Sequence, residues 1–310
     1  MDAMLEATAS RILADHRDAP DRAWSALEEN GLTRLWVGEA QGGFGLPLGE
    51  GFGLIRLAGA NAAPLPIAET LVASRLLSEA GLASPPGRMS LFIEGWQRGI
   101  PFGDRAEHVV RVRGRAILLH EGPAGGRLVA VGEDPMSDAG SLREKAIATG
   151  TIPHDDAPYL AALARAAQIG GALEATLDLT VGFAGDRIQF GRPLSKFQAI
   201  QHLLADMAAE VAAARAAVEA AVATAAQGTT LDQRAVAVAK FRAGLAAGIV
   251  CDHAHQIHGA IGYTEEYALA RLTRRLWQWR EDYGSEHYWA SALGRAAPRG
   301  SVPLWSWIAG

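Results

Sequence analysis

The 310-residue sequence has one cysteine, no long uncharged hydrophobic run and no spacing typical of a metal or hydrolase site. Cys251 alone cannot form an intrachain disulfide, so the sequence is typical of a protein from a reducing compartment. The nine histidines show no zinc-binding spacing with a cysteine or carboxylate. No G-x-S-x-G turn supports serine hydrolase chemistry. Disulfide scaffolds, zinc enzymes and serine hydrolases are therefore not expected.

Charge of one sign is not in marked excess either. The 29 Lys and Arg residues and 34 Asp and Glu residues give a net charge of −5, so we expect no nucleic acid partner. The alanine-rich segment 208–226 has the length of a membrane span, but Glu210, Arg215 and Glu219 interrupt it. The first ten residues contain two acids and no basic residue, unlike a secretory signal. We expect a cytoplasmic protein with no membrane segment.

The pattern of apolar residues divides the chain into three parts. Apolar residues make up 49% of the sequence and charged residues 20%, which is typical of a folded globular protein. Residues 1–84 have the periodicity of helices, residues 85–155 contain short apolar or alternating runs, and residues 156–310 are helical again. We predict a mainly α fold with an N-terminal helical domain, a small β region and a C-terminal antiparallel helical bundle.

The C-terminal part gives the clearest local predictions. The segment 195–227 is predicted to be one helix, with an apolar stripe made of Leu204, Met207, Val211, Val218 and Val222. Residues 230–233 (Thr-Leu-Asp-Gln) match a capping box that opens the next helix, which is predicted to end at His258 before Gly259. Thr264 is predicted to open the last long helix. In the middle part, strands are predicted at 90–93, 109–112, 116–119 and 127–131.

Two segments of the C-terminal part have residues suited to binding an anion. In the first, Arg187 and Arg192 flank a Phe-Gly turn that leads into a helix. Guanidinium and amide donors at such a junction suit a phosphate group, although solvated arginines on a surface turn fit the same pattern. In the second, a helix ends near Gln256, a glycine-containing turn follows at Gly259, and another helix begins. Free backbone N–H groups there could bind an anion, or the segment could be a plain helix connection.

Together these segments resemble the C-terminal domain of acyl-CoA dehydrogenases. That family has the pattern R-x-x-F-G-x-x-L-x-x-x-Q, then a long helix, then Q-x-x-G-G-x-G-[YF], and both segments match in this order at residues 187–198 and 256–263. Residues 24–45 are also similar to the family's N-terminal helical domain. The resemblance implies a helical, small β, helical fold, the cofactor FAD and α,β-dehydrogenation of an acyl-CoA. It also implies that FAD is held mainly by a neighbouring subunit.

The resemblance implies roles for individual residues. Arg187 matches the arginine that reaches the FAD pyrophosphate, and Phe190 and Gln198 match positions beside the ADP portion. Gln256 and Gly259 match the glutamine-glycine turn, where Ala260 replaces the family's second glycine. The full set of predicted cofactor-binding residues is Arg187, Phe190, Gln198, Gln256, Gly259, Ala260 and Ser285.

The sequence departs from the family at the catalytic base. The usual base is the Glu of a Y-E-G-[TS] segment, which here reads Asp-Tyr-Gly-Ser, with Tyr283 at the glutamate position. An alternative base position on an earlier helix is Ala161. Tyrosine, with an ordinary pKa near 10, is a poor base at neutral pH. No catalytic residue is therefore predicted at either position, and Asp282 is the weak candidate. Neither base position is occupied by any of the other nearby carboxylates, which are Asp155, Asp156, Glu281 and Glu286.

The middle part lacks the family's T-E-P-x-x-G-S-D-type and W-I-[TS] segments, which contact the flavin ring. The chain thus resembles the short, base-less subunit of heteromeric acyl-CoA dehydrogenases, such as those of steroid or bile-acid side-chain breakdown. That resemblance implies an acyl-CoA substrate, a full-length partner subunit in a heterotetramer, and an electron acceptor. Two alternatives stay open: a scaffold subunit without flavin, or a homo-oligomeric dehydrogenase that uses Asp282 or Glu286. The C-terminal tryptophans, expected in a core or an interface, are Trp277, Trp279, Trp289, Trp305 and Trp307.

Overall fold

The computed structural model describes residues 1–128, 133–142, 145–227 and 230–297. Within these residues the chain is mainly helical, which confirms the predicted fold class. The helices are α1 (Ala3–Asp15), α2 (Pro20–Glu29), α3 (Leu48–Ala60), α4 (Ile67–Glu79), α5 (Ala157–Asp186), α6 (Gln198–Gln227), α7 (Gln233–His258), α8 (Ala268–Glu281) and α9 (Glu286–Ala296). The division of the chain into three domains stays a prediction.

The strands of the middle part form two small sheets. They are β1 (Met89–Ile93), β2 (Ile100–Pro101), β3 (His108–Arg113), β4 (Ala116–Glu121), β5 (Arg127–Leu128), β6 (Met136–Ser137) and β7 (Ala148–Thr151). One sheet has the order β1-β3-β4-β7, in which β1 is parallel to β3 and the other pairs are antiparallel. The other has the order β2-β6-β5. The predicted strands at 90–93, 109–112 and 116–119 are confirmed, and part of the fourth, 129–131, lies outside the described residues.

Helix α5 lies at the centre of the helical part. It packs against α3, α6 and α7, and α7 also contacts α8 and α9. Glycine permits the close approach of α3 and α5: a Cβ atom on Gly59 would lie 1.9 Å from the carbonyl oxygen of Gln168. A Cβ atom on Gly171 would lie 1.9 Å from the carbonyl oxygen of Arg56. No L side chain fits at such distances, so the N-terminal helices are tied to α5 by backbone contact.

The apolar stripe predicted for α6 faces the core. Met207, Val211 and Val218 are buried, and Leu204 and Val222 pack against the same core. The predicted end of α7 at His258 is confirmed, with Gly259 at φ +65° after it. Among the tryptophans, Trp279 and Trp289 are buried and Trp277 packs against the core, whereas Trp305 and Trp307 lie outside the described residues.

Two predicted helix starts were wrong. Helix α7 begins at Gln233, and its N-cap is Asp232, whose carboxylate accepts hydrogen bonds from the backbone N–H groups of Arg234 and Ala235. A carboxylate is as good a cap as the hydroxyl of Thr230, and it is two residues closer to the apolar run. Helix α8 begins at Ala268, because the Thr264 hydroxyl donates to the carbonyl of Ile261 within a preceding 3₁₀ turn.

Candidate functional site

Ala161 and Tyr283, the two residues at the family's base positions, lie side by side in the folded chain. Ala161 is in the buried first half of α5, and Tyr283 follows the end of α8 at φ +55°. Both line one small void of about 10 Å³. Burial raises the pKa of Tyr283 further above its ordinary value. The structure thus brings together the two positions at which the resemblance predicts a base, and neither carries a carboxylate.

The space beside these residues is filled by a buried ion pair. Arg165, one turn after Ala161 on α5, donates through Nη2 to Glu69 Oε1 of α4 at 2.6 Å. Their side chains are only 2% and 1% exposed. Nη1 of Arg165 donates to the side chain of Gln168. Since an isolated buried charge is costly, this mutual pairing is what lets two charged side chains occupy the site. We define the buried cluster as Glu69, Arg165 and Asp282.

Asp282, the candidate base, is the third member of the buried cluster. Its Oδ2 lies 3.1 Å from Nη2 of Arg165, and its side chain is 13% exposed. Burial raises the pKa of Asp282 to about 6, against the opposing effect of the Arg165 charge. A pKa in that range suits a general base, but the carboxylate is held by a guanidinium and does not line the void beside Ala161 and Tyr283.

The other carboxylates near this region have partners of their own or lie outside it. Glu286 accepts a hydrogen bond from Arg280 Nε at 3.0 Å, which lowers the pKa of Glu286 although burial opposes the change. Asp156 Oδ2 accepts from the backbone N–H of Leu231 at 3.4 Å. Glu281 is exposed at the end of α8, and Asp155 is exposed before α5. None of these carboxylates lines the void beside Ala161 and Tyr283.

A buried lysine fixes the turn that carries Asp282 and Tyr283. Nζ of Lys240, on α7, donates to the backbone carbonyls of Arg280 and Gly284, each at 2.8 Å. Burial lowers the pKa of Lys240 to about 7. The Trp289 indole also donates to the carbonyl of Tyr283 at 3.1 Å. These bonds hold the turn rigidly in its present shape.

The first cofactor motif forms an exposed hairpin between α5 and α6. Strands β8 (Ile188–Gln189) and β9 (Arg192–Pro193) pair on either side of the Phe-Gly turn. Arg187 caps the end of α5 and its side chain is exposed. Phe190, at φ +52°, is 91% exposed. Gln198, the first residue of α6, is exposed as well.

The second motif lies at the end of α7, and a ring contact joins it to the first. Gln256, Gly259 and Ala260 are exposed there. His258, beside Gly259, stacks on Phe183 with ring centroids 4.2 Å apart. Phe183 is one helical turn before Arg187 on α5. The predicted ADP-side residues of both segments are therefore brought to the same end of the bundle.

Ser285 differs from the other predicted cofactor residues. It is the N-cap of α9, and its hydroxyl accepts from the backbone N–H of Tyr288 at 3.4 Å. In the described part of the chain no hydrogen bond or ion pair joins it to Arg187 or Gln256. Its hydroxyl has a structural partner, and its place in a cofactor site stays a prediction.

The exposed residues at this end of the bundle suit the pyrophosphate of FAD and the polar groups next to it. Across residues 1–128, 133–142, 145–227 and 230–297, no carboxylate forms an ion pair with Arg187. The side chains of Gln198 and Gln256 make no hydrogen bond within the same ranges. An unpaired guanidinium with nearby free amides can bind a pyrophosphate without first breaking an internal contact. Arg187, Gln198, Gln256 and Gly259 would hold the group there.

The sequence did not identify Glu69, Arg165 or Lys240. One signal was available: Arg165 and Gln168 are the two strongly polar residues in an otherwise apolar stretch of α5, and they are spaced three apart on one helical face. Charged residues within such a stretch are almost never fully buried unless paired. The identity of the partner could not be derived, because Glu69 is 96 residues away in sequence.

A large cleft lies elsewhere and is lined by none of the predicted site residues. It has a volume of about 850 Å³ and is lined by residues of α3, α5 and α6, including Ala167, Gly170 and Glu174. These residues are on the side of α5 opposite Ala161 and Arg165. In the described residues no group of three or more His, Cys, Asp or Glu side chains could hold a metal ion. A search of the same residues found no helix of the length and apolarity needed to cross a membrane.

Comparisons with known proteins agree with the two sequence motifs. The family described as acyl-CoA dehydrogenase, C-terminal domain, matches residues 159–279. Acyl-CoA dehydrogenase IpdE2 of Mycolicibacterium smegmatis is 30% identical over 264 residues, which cover 81% of this chain and 80% of that protein. The chain belongs to the acyl-CoA dehydrogenase family. Another member, the probable acyl-CoA dehydrogenase YngJ of Bacillus subtilis, is 42% identical over 104 residues, which are 34% of this chain and 27% of that protein.

Solved structures of the acyl-CoA dehydrogenase family have the same fold. A variant of the Tcur3481-Tcur3483 steroid ACAD superposes with a TM-score of 0.81 and 26% identity, over 94% of this chain and 96% of that chain. Butyryl-CoA dehydrogenase of Megasphaera elsdenii superposes with a TM-score of 0.75 and 19% identity, over 96% of this chain and 99% of that chain. Members of the family bind FAD.

Proposed function

We propose that this chain is a non-catalytic subunit of a heteromeric acyl-CoA dehydrogenase. The observation that carries the proposal is the filled base site: Ala161 and Tyr283 stand at both base positions, and the Arg165–Glu69 pair occupies the space beside them. A void of about 10 Å³ holds no acyl group. A chain that cannot place a substrate against a base needs a partner that can.

Under this proposal the chain supplies the ADP-side contacts to FAD held mainly by a full-length partner subunit. Arg187 would bind the pyrophosphate, with Gln198, Gln256 and Gly259 around the adjoining groups. FAD, when bound, supplies the hydride acceptor for α,β-dehydrogenation. The residues of this chain bind the ADP portion of FAD, which orients the cofactor, and they transfer no proton. We expect a heterotetramer, an acyl-CoA substrate and a separate electron acceptor.

The names of two structural relatives favour a heteromer. A variant of the Tcur3481-Tcur3483 steroid ACAD and the ChsE4-ChsE5 complex from Mycobacterium tuberculosis each carry two chain names. The first relative's name further suggests an acyl-CoA with a steroid acyl group for the present complex. A homo-oligomeric dehydrogenase that uses Asp282 or Glu286 is disfavoured, because both carboxylates are held by arginines.

Co-expression with a full-length acyl-CoA dehydrogenase encoded beside this chain tests the proposal. Native mass spectrometry gives the subunit ratio, and the flavin absorbance gives FAD per assembly. The proposal predicts a mixed oligomer that contains FAD. A monodisperse monomer that associates with no full-length subunit would overturn it, and a colourless mixed oligomer would favour the scaffold alternative.

A further inference from the structure

Strand β7 (Ala148–Thr151) is an open edge of the four-stranded sheet. The sheet has the order β1-β3-β4-β7, so β7 pairs with β4 on one side, and across the described ranges no strand pairs with its other side. Thr149 and Thr151 are exposed. Proteins usually protect such an edge with a charged residue or a proline, and β7 contains neither. The strand can therefore accept another strand beside it.

The pairing with β4 shows which backbone groups of β7 face outward. The N–H of Ile152 donates to the carbonyl of Arg115 at 3.0 Å, so these two residues are a hydrogen-bonded pair. Hydrogen-bonded and non-hydrogen-bonded pairs alternate along an antiparallel ladder, which puts Thr151 and Thr149 in non-hydrogen-bonded pairs. Their N–H and C=O groups point away from β4, and in the described part of the chain none of them has another hydrogen-bond partner.

This edge is complementary to itself. Two copies of β7 that run antiparallel about a two-fold axis at Gly150 place Thr149 of each copy opposite Thr151 of the other. Residues in such a pair exchange both N–H···O bonds, so every outward backbone group of the two threonines is satisfied. The threonine side chains then lie next to each other on the exposed face, and cross-strand threonine pairs stabilise a sheet.

Other antiparallel registers satisfy fewer backbone groups. A shift in one direction places Thr151 opposite Ile147, whose N–H already donates to the carbonyl of Leu119 at 2.8 Å. A shift in the other direction places Thr149 opposite Pro153, which has no N–H. The available donors therefore select the register in which the two threonines pair with each other.

The charges beside the edge agree with the same register. Lys145 precedes β7 and Asp155 follows it, and both are exposed. In the ranges that the structure describes, no ion pair includes either of them. Because they are equally far from Gly150 in sequence, the two-fold axis brings Lys145 of each copy to the end where Asp155 of the other copy lies. Opposite charges meet at both ends, whereas a parallel arrangement would bring like charges together.

We propose that β7 pairs with β7 of a second copy of this chain, antiparallel about Gly150, and joins the two four-stranded sheets into one. The inference goes beyond the proposed function and does not depend on it, because no residue of a full-length subunit takes part. A short strand makes a small contact, so association through β7 alone should be reversible and should depend on protein concentration.

Register-specific disulfide trapping tests the pairing. Thr149→Cys and Thr151→Cys are made in two full chains that carry different affinity tags, and the chains are mixed, with and without a full-length subunit, in oxidised glutathione. Residues of a hydrogen-bonded pair have Cα atoms about 5.5 Å apart, which a disulfide can span. The mixture should give a covalent dimer that contains both tags. Each variant alone should give none, because its cysteine faces a threonine, and the native Cys251 is buried.

A charge exchange gives a second measurement. Lys145→Glu or Asp155→Lys, introduced into both cysteine variants, should lower the yield of the covalent dimer, and the two substitutions together should restore it. The melting temperature of each variant is the control for folding. The absence of a two-tag dimer from the mixture, equal dimer formation by one cysteine variant alone, or a cross-link to the full-length subunit in its place would overturn the inference. The proposed function fails separately, when no mixed oligomer with a full-length subunit forms.

Discussion

Arg165 and Glu69 form a 2.6 Å salt bridge in which both side chains are almost completely buried, beside Ala161 and Tyr283, the two positions at which the resemblance predicts a catalytic base. The pair joins α5 to α4, and Asp282 approaches the same guanidinium from the turn after α8 at 3.1 Å. Three separate segments are thereby linked by one cation. Under the proposed function, the space that would take an acyl group in a catalytic subunit is part of the core in this chain.

Removal of the Arg165 charge should destabilise the fold strongly. Arg165→Met leaves Glu69 and Asp282 buried without a cation, and breaking a buried ion pair on one side costs about 3–5 kcal/mol. Urea unfolding measures the loss. The matched control is Arg215→Met, whose pair with Glu219 is exposed and should contribute about 1 kcal/mol or less. Equal effects of the two substitutions would show that the buried cluster is not stabilised by pairing.

A carboxylate introduced at the family's base position should not create activity. In Tyr283→Glu the new carboxylate would lie beside Arg165, with no room for a substrate. We expect no acyl-CoA-dependent dye reduction by the chain alone with added FAD, and no increase in the rate of the complex. Circular dichroism checks that the variant is folded. Turnover by the folded variant alone would mean that the site opens to substrate.

Much of the fold followed from the sequence, whereas the interior of the site did not. The apolar stripe of α6 was predicted correctly from the helical spacing of its apolar residues. The end of α7 was predicted correctly from Gly259, because glycine readily adopts the positive φ found there. The buried cluster has no local signal, because Glu69, Arg165 and Asp282 come from segments about 100 residues apart. The start of α8 was predicted wrongly because a threonine hydroxyl can cap a helix, whereas that of Thr264 donates to the carbonyl of Ile261 in the preceding 3₁₀ turn.

Lys240 should give the stability of the protein a pH dependence above neutrality. Its pKa is lowered by burial to about 7 in the folded chain, against about 10.4 for an unfolded lysine. Between these values the unfolded chain binds more protons, so this group makes the free energy of unfolding rise with pH from about 7 to about 10. Its contribution is lost as the pH falls through 7. The slope is at most about 1.4 kcal/mol per pH unit.

Urea unfolding of wild type and Lys240→Met between pH 7 and 9.5 measures this dependence. The variant should lack the rise, so the difference in unfolding free energy between the two proteins should change with pH. Lys145→Met, at an exposed lysine, is the control and should run parallel to the wild type. A parallel curve for Lys240→Met would show that the buried ammonium keeps its ordinary pKa.

Arg187 should set how tightly the assembled complex holds FAD. Arg187→Ala removes a charge-assisted contact to the pyrophosphate and should weaken FAD binding by about 1–3 kcal/mol. Arg187→Lys keeps the charge but not the planar fork, so its affinity for FAD should lie between that of the wild type and that of Arg187→Ala. Flavin content after dialysis and the Kd of FAD measure the effect. Because the side chain is exposed, folding should be unchanged; identical flavin retention in all three proteins would reject the assigned role.

The central claim is that this chain assists dehydrogenation but does not catalyse it. The direct measurement is the steady-state rate of acyl-CoA oxidation by the FAD-loaded complex in which the full-length partner carries Gln in place of its catalytic Glu, while this chain is left intact. If this chain has no working base, the rate should fall by the 10²–10⁴-fold typical of a lost general base, with no residual fraction that depends on Asp282. A substantial remaining rate that Asp282→Asn abolishes would contradict the claim.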